Sequence, residues 1–205
     1  MLGSAQGVEI RRNWGIARVF TPYPYNGPMT TIIAYQGPDF AILGADSQIT
    51  DGDRRVLSPS TPKIVKVGRY LLAVQGDARP GDVLIYSWKP PAYDGSDPVK
   101  FMGKKIVPSM IKAFKANGYD HEKDGATFGY IFAFAGNVFE VGSDMSISQN
   151  VDGLYSIGSG SDYALGALSG LVPEIGEPEI LKALATSAKY DINTSAPFQI
   201  EVQRV

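Results

Sequence analysis

Hydrophobic and polar positions form their clearest pattern near the start of the chain. Two short apolar runs, Ile32 to Tyr35 and Phe40 to Gly44, flank a Gly-Pro-Asp turn signal, which predicts a β-hairpin. Two hydroxyl residues, Thr30 and Thr31, open the first strand, and the carboxylate of Asp46 follows the second. Because antiparallel pairing brings these two ends together, we expect a hydroxyl group beside a carboxylate.

The same patterns predict the remaining elements. Apolar runs between turn residues predict strands at 55–57, 63–67, 70–74, 127–135, 138–141, 153–157 and 198–202. Helical spacing predicts helices at 81–88, 97–115, 163–171 and 178–188, with Pro80 delaying the start of the first and Pro108 kinking the second. This order favours an α+β protein in which two antiparallel sheets stack between pairs of helices.

Composition and charge divide the chain into an arm and a body. A length of 205 residues with 44% hydrophobic content suffices for one buried core, so we expect one domain at residues 30–205. Residues 1–29 are rich in proline and carry a net charge of +2, from three arginines against one glutamate. They are predicted to form a pro-segment or an extended arm, either docked on a subunit or solvated.

Several classes of function are excluded by what the sequence lacks. It has no cysteine, and its single histidine, His121, lies in a polar run predicted to be a solvated loop, so neither a histidine triad nor a metal or other cofactor is expected. The net charge of −2 argues against nucleic-acid binding. No apolar run is long enough to span a membrane or to act as a secretory signal, so a cytoplasmic location is expected.

Six short motifs together resemble the proteasome β-type subunits and the bacterial proteasome-like peptidases, which are amino-terminal-nucleophile (Ntn) hydrolases. The motifs occur in the family's order and at close to its spacing over most of residues 30–205. They are Thr30-Thr-Ile32, Gly44-Ala-Asp46-Ser-Gln48, Pro62-Lys-Ile64, Ala73-Val-Gln-Gly-Asp-Ala78, Ile157-Gly-Ser-Gly-Ser-Asp-Tyr-Ala164, and Asp191 with Thr194. The resemblance implies the Ntn-hydrolase fold, a four-layer αββα sandwich.

The resemblance also implies a nucleophile. In this family a threonine at the mature amino terminus attacks the substrate carbonyl, and its own α-amine acts as the base. An α-amine suits that role because it titrates near neutral pH, whereas an amide nitrogen has no basic lone pair. Thr30 matches the catalytic position and Thr31 is the alternative. An ordinary strand residue remains the other interpretation of either threonine.

Further residues match the family's supporting positions. Asp46 and Lys63 match the carboxylate and lysine beside the nucleophile, although a buried structural ion pair would have the same geometry. Gly76 matches the glycine whose N–H stabilises the oxyanion, or is a simple turn residue. Ser159, Asp191 and Thr194 match the groups around the amine, with Ser159 alternatively a helix cap. Ile49, Val74 and Ala78 match the substrate pocket and suit an apolar side chain.

One departure leaves two functions open. Family precursors usually carry glycine before the catalytic threonine and cut there autocatalytically, whereas this chain has Met29. Either Thr30 becomes the first residue, because residues 1–29 are removed or because Met29 is the true start and an aminopeptidase removes it. The protein is then a threonine peptidase, or a related amide hydrolase, acting on peptides or proteins. Or the arm stays attached, and the protein is a non-catalytic subunit of a ring or a viral particle. Both interpretations imply a homo-oligomeric ring or larger assembly.

Overall fold

The structure is a computed structural model that describes residues 29–51, 54–57, 60–122 and 127–205. The predicted arm at residues 1–28 therefore lies outside the described residues. So do parts of the two loops that flank the short strand predicted at 55–57.

Eleven strands and five α-helices are present in the described ranges. The strands are β1 (Ile32–Gln36), β2 (Phe40–Ala45), β3 (Gln48–Asp51), β4 (Arg54–Leu57), β5 (Ile64–Val67), β6 (Tyr70–Gly76), β7 (Phe128–Phe134), β8 (Asn137–Val141), β9 (Ile147–Ser148), β10 (Leu154–Ile157) and β11 (Gln199–Arg204). The helices are α1 (Ala78–Tyr86), α2 (Pro98–Phe101), α3 (Val107–Ala116), α4 (Ser161–Leu168) and α5 (Glu177–Tyr190). A π-helical turn, Met102–Ile106, joins α2 to α3.

The strands form two main antiparallel sheets, one of four strands in the order β10-β1-β2-β11 and one of five in the order β5-β6-β7-β8-β9. The strands β3 and β4 pair as a separate hairpin. The predicted hairpin is confirmed, since β1 and β2 pair with Ile32 opposite Ala45.

Three hydrophobic cores define the layers. One core lies between the two sheets, a second joins α1, α2 and α3 to the five-stranded sheet, and a third joins α4 and α5 to the four-stranded sheet. The order of layers is therefore helices, sheet, sheet, helices. The predicted four-layer αββα sandwich is confirmed.

Alternation along β1 explains how one strand serves two cores. Ile32 and Ala34 lie in the core between the sheets, whereas Ile33 and Tyr35 lie in the core beneath α4 and α5. Successive side chains of a strand point to opposite faces, so a strand buried on both faces reads as a continuous apolar run. This is why the sequence of β1 shows no polar alternation.

Two helix predictions need correction. The helix predicted at 81–88 begins at Ala78, because Pro80 falls in its first turn, where the missing N–H has no intrahelical partner to lose. The kink predicted at Pro108 takes the form of the π-helical turn that precedes it, in which the N–H of Val107 donates to the carbonyl of Met102. Strands β3 and β9 were not predicted.

Two further observations bear on function. His121 is half-buried against the ring of Phe114 rather than solvated as predicted, with 6.4 Å between the ring centroids. None of the helices in the described ranges combines the length and hydrophobicity needed to cross a membrane.

Substitution of Gly44 tests the packing of the four-stranded sheet against α5, and Gly166 in α4 provides the comparison. A Cβ at Gly44 in β2 would lie 2.4 Å from Ile180 Cγ2, whereas a Cβ at Gly166 in α4 meets no described atom within 4 Å. We expect Gly44→Ala to lower the free energy of unfolding by about 1–3 kcal/mol through overpacking. Gly166→Ala is expected to raise it by about 0.5–1 kcal/mol, since alanine favours the helix. Chemical denaturation measures both, and a loss in both variants would contradict the packing described.

Candidate active site

The first hairpin brings Thr30 and Asp46 together at its open end. The N–H of Asp46 donates to the carbonyl of Thr31 at 3.1 Å, which continues the pairing of β1 with β2 by one step. Thr30 Oγ1 donates to Asp46 Oδ1 at 2.6 Å. The proximity expected from the antiparallel pattern is therefore present, and both side chains are buried.

The Asp46 carboxylate is held by backbone N–H groups from three places in the chain. Oδ1 accepts from the N–H of Thr31 at 3.0 Å, and Oδ2 accepts from those of Gln48 at 2.9 Å and Ser195 at 3.3 Å. A buried carboxylate is stable only when its oxygens are hydrogen-bonded. These bonds satisfy that condition and fix the orientation of the carboxylate towards Thr30.

Lys63 completes the cluster from the other sheet, one residue before β5. Its Nζ donates to Asp46 Oδ1 at 2.5 Å and also to Thr30 Oγ1. Burial lowers the pKa of the Lys63 ammonium, and the charges of Asp46 and Asp191 together with the hydrogen bond to Asp46 partly offset that shift. The Lys63 amine, with its lowered pKa, thus contacts the hydroxyl oxygen of Thr30. Through this contact the amine and the hydroxyl group can exchange a proton.

Ser159, Asp191 and Thr194 form a second cluster beside the main chain of Thr30. Asp191 Oδ2 accepts from Ser159 Oγ at 2.7 Å and from Thr194 Oγ1 at 2.6 Å. Ser159 Oγ also donates to the carbonyl of Thr30 at 3.4 Å. The alternative of Ser159 as a helix cap is wrong, because the residue at the cap position of α4 is Gly160 and the Ser159 hydroxyl bonds elsewhere.

The two adjacent threonines face opposite sides of the four-stranded sheet. Thr30 lies on the same face of the strand as Ile32, and its hydroxyl contacts Lys63 from the other sheet. Thr31 lies on the same face as Ile33, and its hydroxyl oxygen is 2.6 Å from that of Thr194. Thr30 lines the neighbouring cavity and Thr31 does not. Geometry therefore favours Thr30 over Thr31 as the candidate nucleophile.

Sequence reasoning missed Gly158 and Gly160 as part of the site. A Cβ at Gly158, where φ is +100°, would lie 2.1 Å from the carbonyl oxygen of Thr30, and one at Gly160 would lie 2.0 Å from Thr31 Oγ1. The N–H of Gly160 donates to the Thr30 carbonyl at 3.3 Å. Both glycines are needed because the loop before α4 passes against the Thr30–Thr31 backbone. The signal for both glycines is the Gly-Ser-Gly motif around Ser159, in which the glycines allow this close approach.

A cavity of about 400 Å³ opens beside Thr30. Its wall includes Lys63 and Gly76, the last residue of β6. All three residues expected to form the substrate pocket also line it, namely Ile49, Val74 and Ala78. Met29, still bonded to Thr30, also lines it. Within the described ranges, no group of three or more His, Cys, Asp or Glu side chains is arranged to hold a metal ion.

The layer order, the sheet topology and the site at the open end of β1 and β2 define the class of fold. It is the Ntn-hydrolase fold in its proteasome-like form, as the motifs implied. No protein-family model matches the sequence, and no curated protein matches it either.

Solved structures similar to this chain belong to proteasome-like proteins. BPH of Thiobacillus denitrificans in complex with epoxomicin is 20% identical, with a TM-score of 0.69 over 85% of this chain and 98% of that one. HslV of Trypanosoma brucei is 19% identical, with a TM-score of 0.64 over 86% and 100%. A Gly-1 mutant of Anbu from Hyphomicrobium sp. strain MC1 is 12% identical, with a TM-score of 0.64 over 85% and 81%. At these identities the likeness establishes the fold.

The lowered pKa of Lys63 can be measured directly. We expect the NMR titration of the Lys63 side chain, assigned by comparison with Lys63→Met, to have its midpoint below the ordinary value of 10.5. Between the lowered pKa and 10.5 the folded state binds fewer protons than the unfolded state, so Lys63 makes stability rise with pH through that interval.

Asp46→Asn provides the control for that titration. It is expected to lower the Lys63 midpoint further, since it removes the neighbouring charge that raises the pKa. A wild-type midpoint at or above 10.5 would contradict the burial argument.

Proposed function

We propose that this chain is a threonine-type peptidase, or a related amide hydrolase, whose nucleophile is Thr30 once residues 1–29 are removed. The observation that carries the proposal is the position of Thr30 Oγ1, bonded to both Asp46 and Lys63 at the wall of a cavity. A hydroxyl group is a weak nucleophile until a neighbouring base takes its proton. The cluster provides an amine and a carboxylate in contact with the same oxygen.

In the proposed reaction, Thr30 Oγ1 bonds to the carbonyl carbon of a substrate amide while its proton passes to the free α-amine of the mature chain. Lys63 favours the deprotonated oxygen by its positive charge and by hydrogen bonding, and Asp46 holds Lys63 in place. The N–H of Gly76 stabilises the oxyanion. The carbon–nitrogen bond then breaks as the leaving amine takes up the proton, and water hydrolyses the resulting ester of Thr30.

The second cluster is proposed to hold the α-amine in place. Ser159 bonds both Asp191 and the carbonyl of Thr30, and Thr194 donates to the same oxygen of Asp191, Oδ2. A protonated α-amine formed during the reaction would have the Asp191 charge close by. This arrangement supports a shift of the proton from Oγ1 to the amine without a histidine.

The Met29–Thr30 peptide bond decides whether the base exists. Self-cleavage would release residues 1–29, and an aminopeptidase would expose Thr30 if translation begins at Met29. While Met29 remains attached, the nitrogen of Thr30 is an amide and the proposed base is missing. The full-length chain is therefore proposed to be an inactive precursor.

The decisive comparison is between protein that begins at Thr30, released from a removable tag, and protein with the Met29–Thr30 bond intact. We expect only the former to hydrolyse fluorogenic peptides, and Thr30→Ala to reduce that activity at least about a thousandfold. Thr186→Ala on α5, where the half-buried hydroxyl donates to the carbonyl of Lys182 in the same helix, is the matched control and is expected to keep full activity. Epoxomicin, which is bound in a similar structure, is expected to raise the melting temperature of the form that begins at Thr30.

Equal turnover by Thr30→Ala and its parent would refute the peptidase proposal. Hydrolysis of small non-peptide amides in preference to peptides would instead assign the protein to the wider class of Ntn amidases. Mass spectrometry of the protein from its natural source, showing a species that begins at Thr30, supports removal of the arm.

A second candidate function follows from Met29 itself. This residue replaces the glycine usual before the nucleophile and lines the cavity beside Thr30. An uncut chain would keep the fold as a non-catalytic subunit of a ring or a viral particle, with the basic arm as an assembly element. Its acidic body, with a charge of −4 over residues 30–205, complements the +2 of residues 1–29.

The two candidates differ in what the arm does. If the chain is a structural subunit, protein that lacks residues 1–29 is expected to fall from a homo-oligomeric ring or larger particle to monomers in light scattering. If it is a peptidase, the assembly is expected to persist without the arm. The same preparations are assayed for peptide hydrolysis. Loss of the assembly without hydrolysis supports the structural subunit, and hydrolysis by an assembly that persists supports the peptidase.

A further inference from the structure

One side of helix α1 forms a wall of the cavity beside Thr30. Ala78, Gly81, Asp82 and Ile85 all line the cavity, and their spacing of three, four and seven residues places them in one stripe along the helix. The stripe begins two residues after Gly76, which also lines the cavity. It therefore runs along the cavity wall from a point close to Gly76.

Small residues in this stripe leave room for a substrate side chain. Ala78 and Gly81 occupy its first turn, and a Cβ at Gly81 would already lie 3.1 Å from Val74 Cγ1. Val74, Ile49 and Ile85 contribute apolar surface to the same cavity. A flexible hydrocarbon chain can pack on such surface.

The stripe carries a negative charge at Asp82. Asp82 lies four residues beyond Ala78, about 6 Å along the helix axis, which is comparable to the length of an extended lysine side chain. Asp77, just before the helix, uses Oδ2 to accept from the N–H of Thr127 at 3.1 Å. Lys63 is the cation among the described residues of the wall, and it is already paired with Asp46.

Two amide oxygens add hydrogen-bond acceptors to the same lining. Gln48 Oε1 and Gln75 Oε1 are buried and accept no hydrogen bond from any described residue, and both residues line the cavity. The orientation of the Gln48 amide is set by its Nε2, which donates to the carbonyl of Ile192 at 3.0 Å. The lining thus offers acceptors and negative charge, which suit a ligand rich in donors.

We infer that this cavity selects substrates with a long basic side chain, lysine or arginine, on the residue before the scissile bond. The hydrocarbon stem packs on the apolar wall and the cation pairs with Asp82. This inference rests on the proposed function and extends the expectation of an apolar pocket. The apolar residues hold the stem, and the carboxylate recognises its end.

The test compares fluorogenic peptides that differ only in having lysine or the uncharged analogue norleucine before the cleaved bond. We expect Asp82→Asn, in protein that begins at Thr30, to lower the ratio of kcat/KM for lysine over norleucine about fivefold, the upper range for an exposed ion pair. Asp162→Asn on α4, at the opposite side of the sandwich, makes the same charge change and is expected to leave the ratio unaltered. The wild-type ratio is expected to fall with added salt.

A binding measurement separates this inference from the proposed function. Calorimetry with Thr30→Ala, which cannot turn over the peptides, is expected to show tighter binding of the lysine peptide and loss of that preference in Thr30→Ala/Asp82→Asn. Such binding without hydrolysis by the parent would refute the peptidase proposal and support the basic pocket. Hydrolysis with a lysine-to-norleucine ratio unchanged by Asp82→Asn would support the peptidase and overturn the pocket.

Discussion

The buried carboxylate of Asp46 is the point on which the site depends. Burying a charge costs several kcal/mol unless hydrogen bonds replace the lost water. Five donors from separate parts of the chain do so here, namely the Thr30 hydroxyl, the N–H groups of Thr31, Gln48 and Ser195, and the Lys63 ammonium. Satisfying one carboxylate therefore holds together the first hairpin, the start of β3, the residue before β5 and the segment before β11.

Strand register is the second constraint, because it decides which threonine meets the lysine. A shift of β1 by one residue would exchange the faces of Ile32 and Ile33 and would move Tyr35 into the core between the sheets. That core is built mostly of aliphatic side chains, so the exchange is strongly disfavoured. The same register directs Thr30 towards the other sheet. Packing of the two cores thus selects the candidate nucleophile.

The fold was predictable where the signals are local, and the site only in part. Apolar runs and turn residues revealed the hairpins, and motif order located the residues around Thr30. The contact of Gly160 with Thr31 was not predictable, because it joins residues far apart in the sequence. The acidic stripe was missed for a different reason. The position of Pro80 predicts a helix start at Gly81, which excludes Ala78, whereas α1 begins at Ala78 and aligns that residue with Asp82.

The contacts that hold Thr30 also indicate what removal of the arm would change. They use its side chain, its carbonyl oxygen and the N–H of the next residue. None of these bonds between described residues involves Met29. Cleavage at Met29–Thr30 would therefore convert an amide nitrogen into an amine within a cluster already assembled from Asp46, Lys63 and Ser159. Removal of the arm would thus change the chemistry of the site through one covalent bond, without breaking any of these hydrogen bonds.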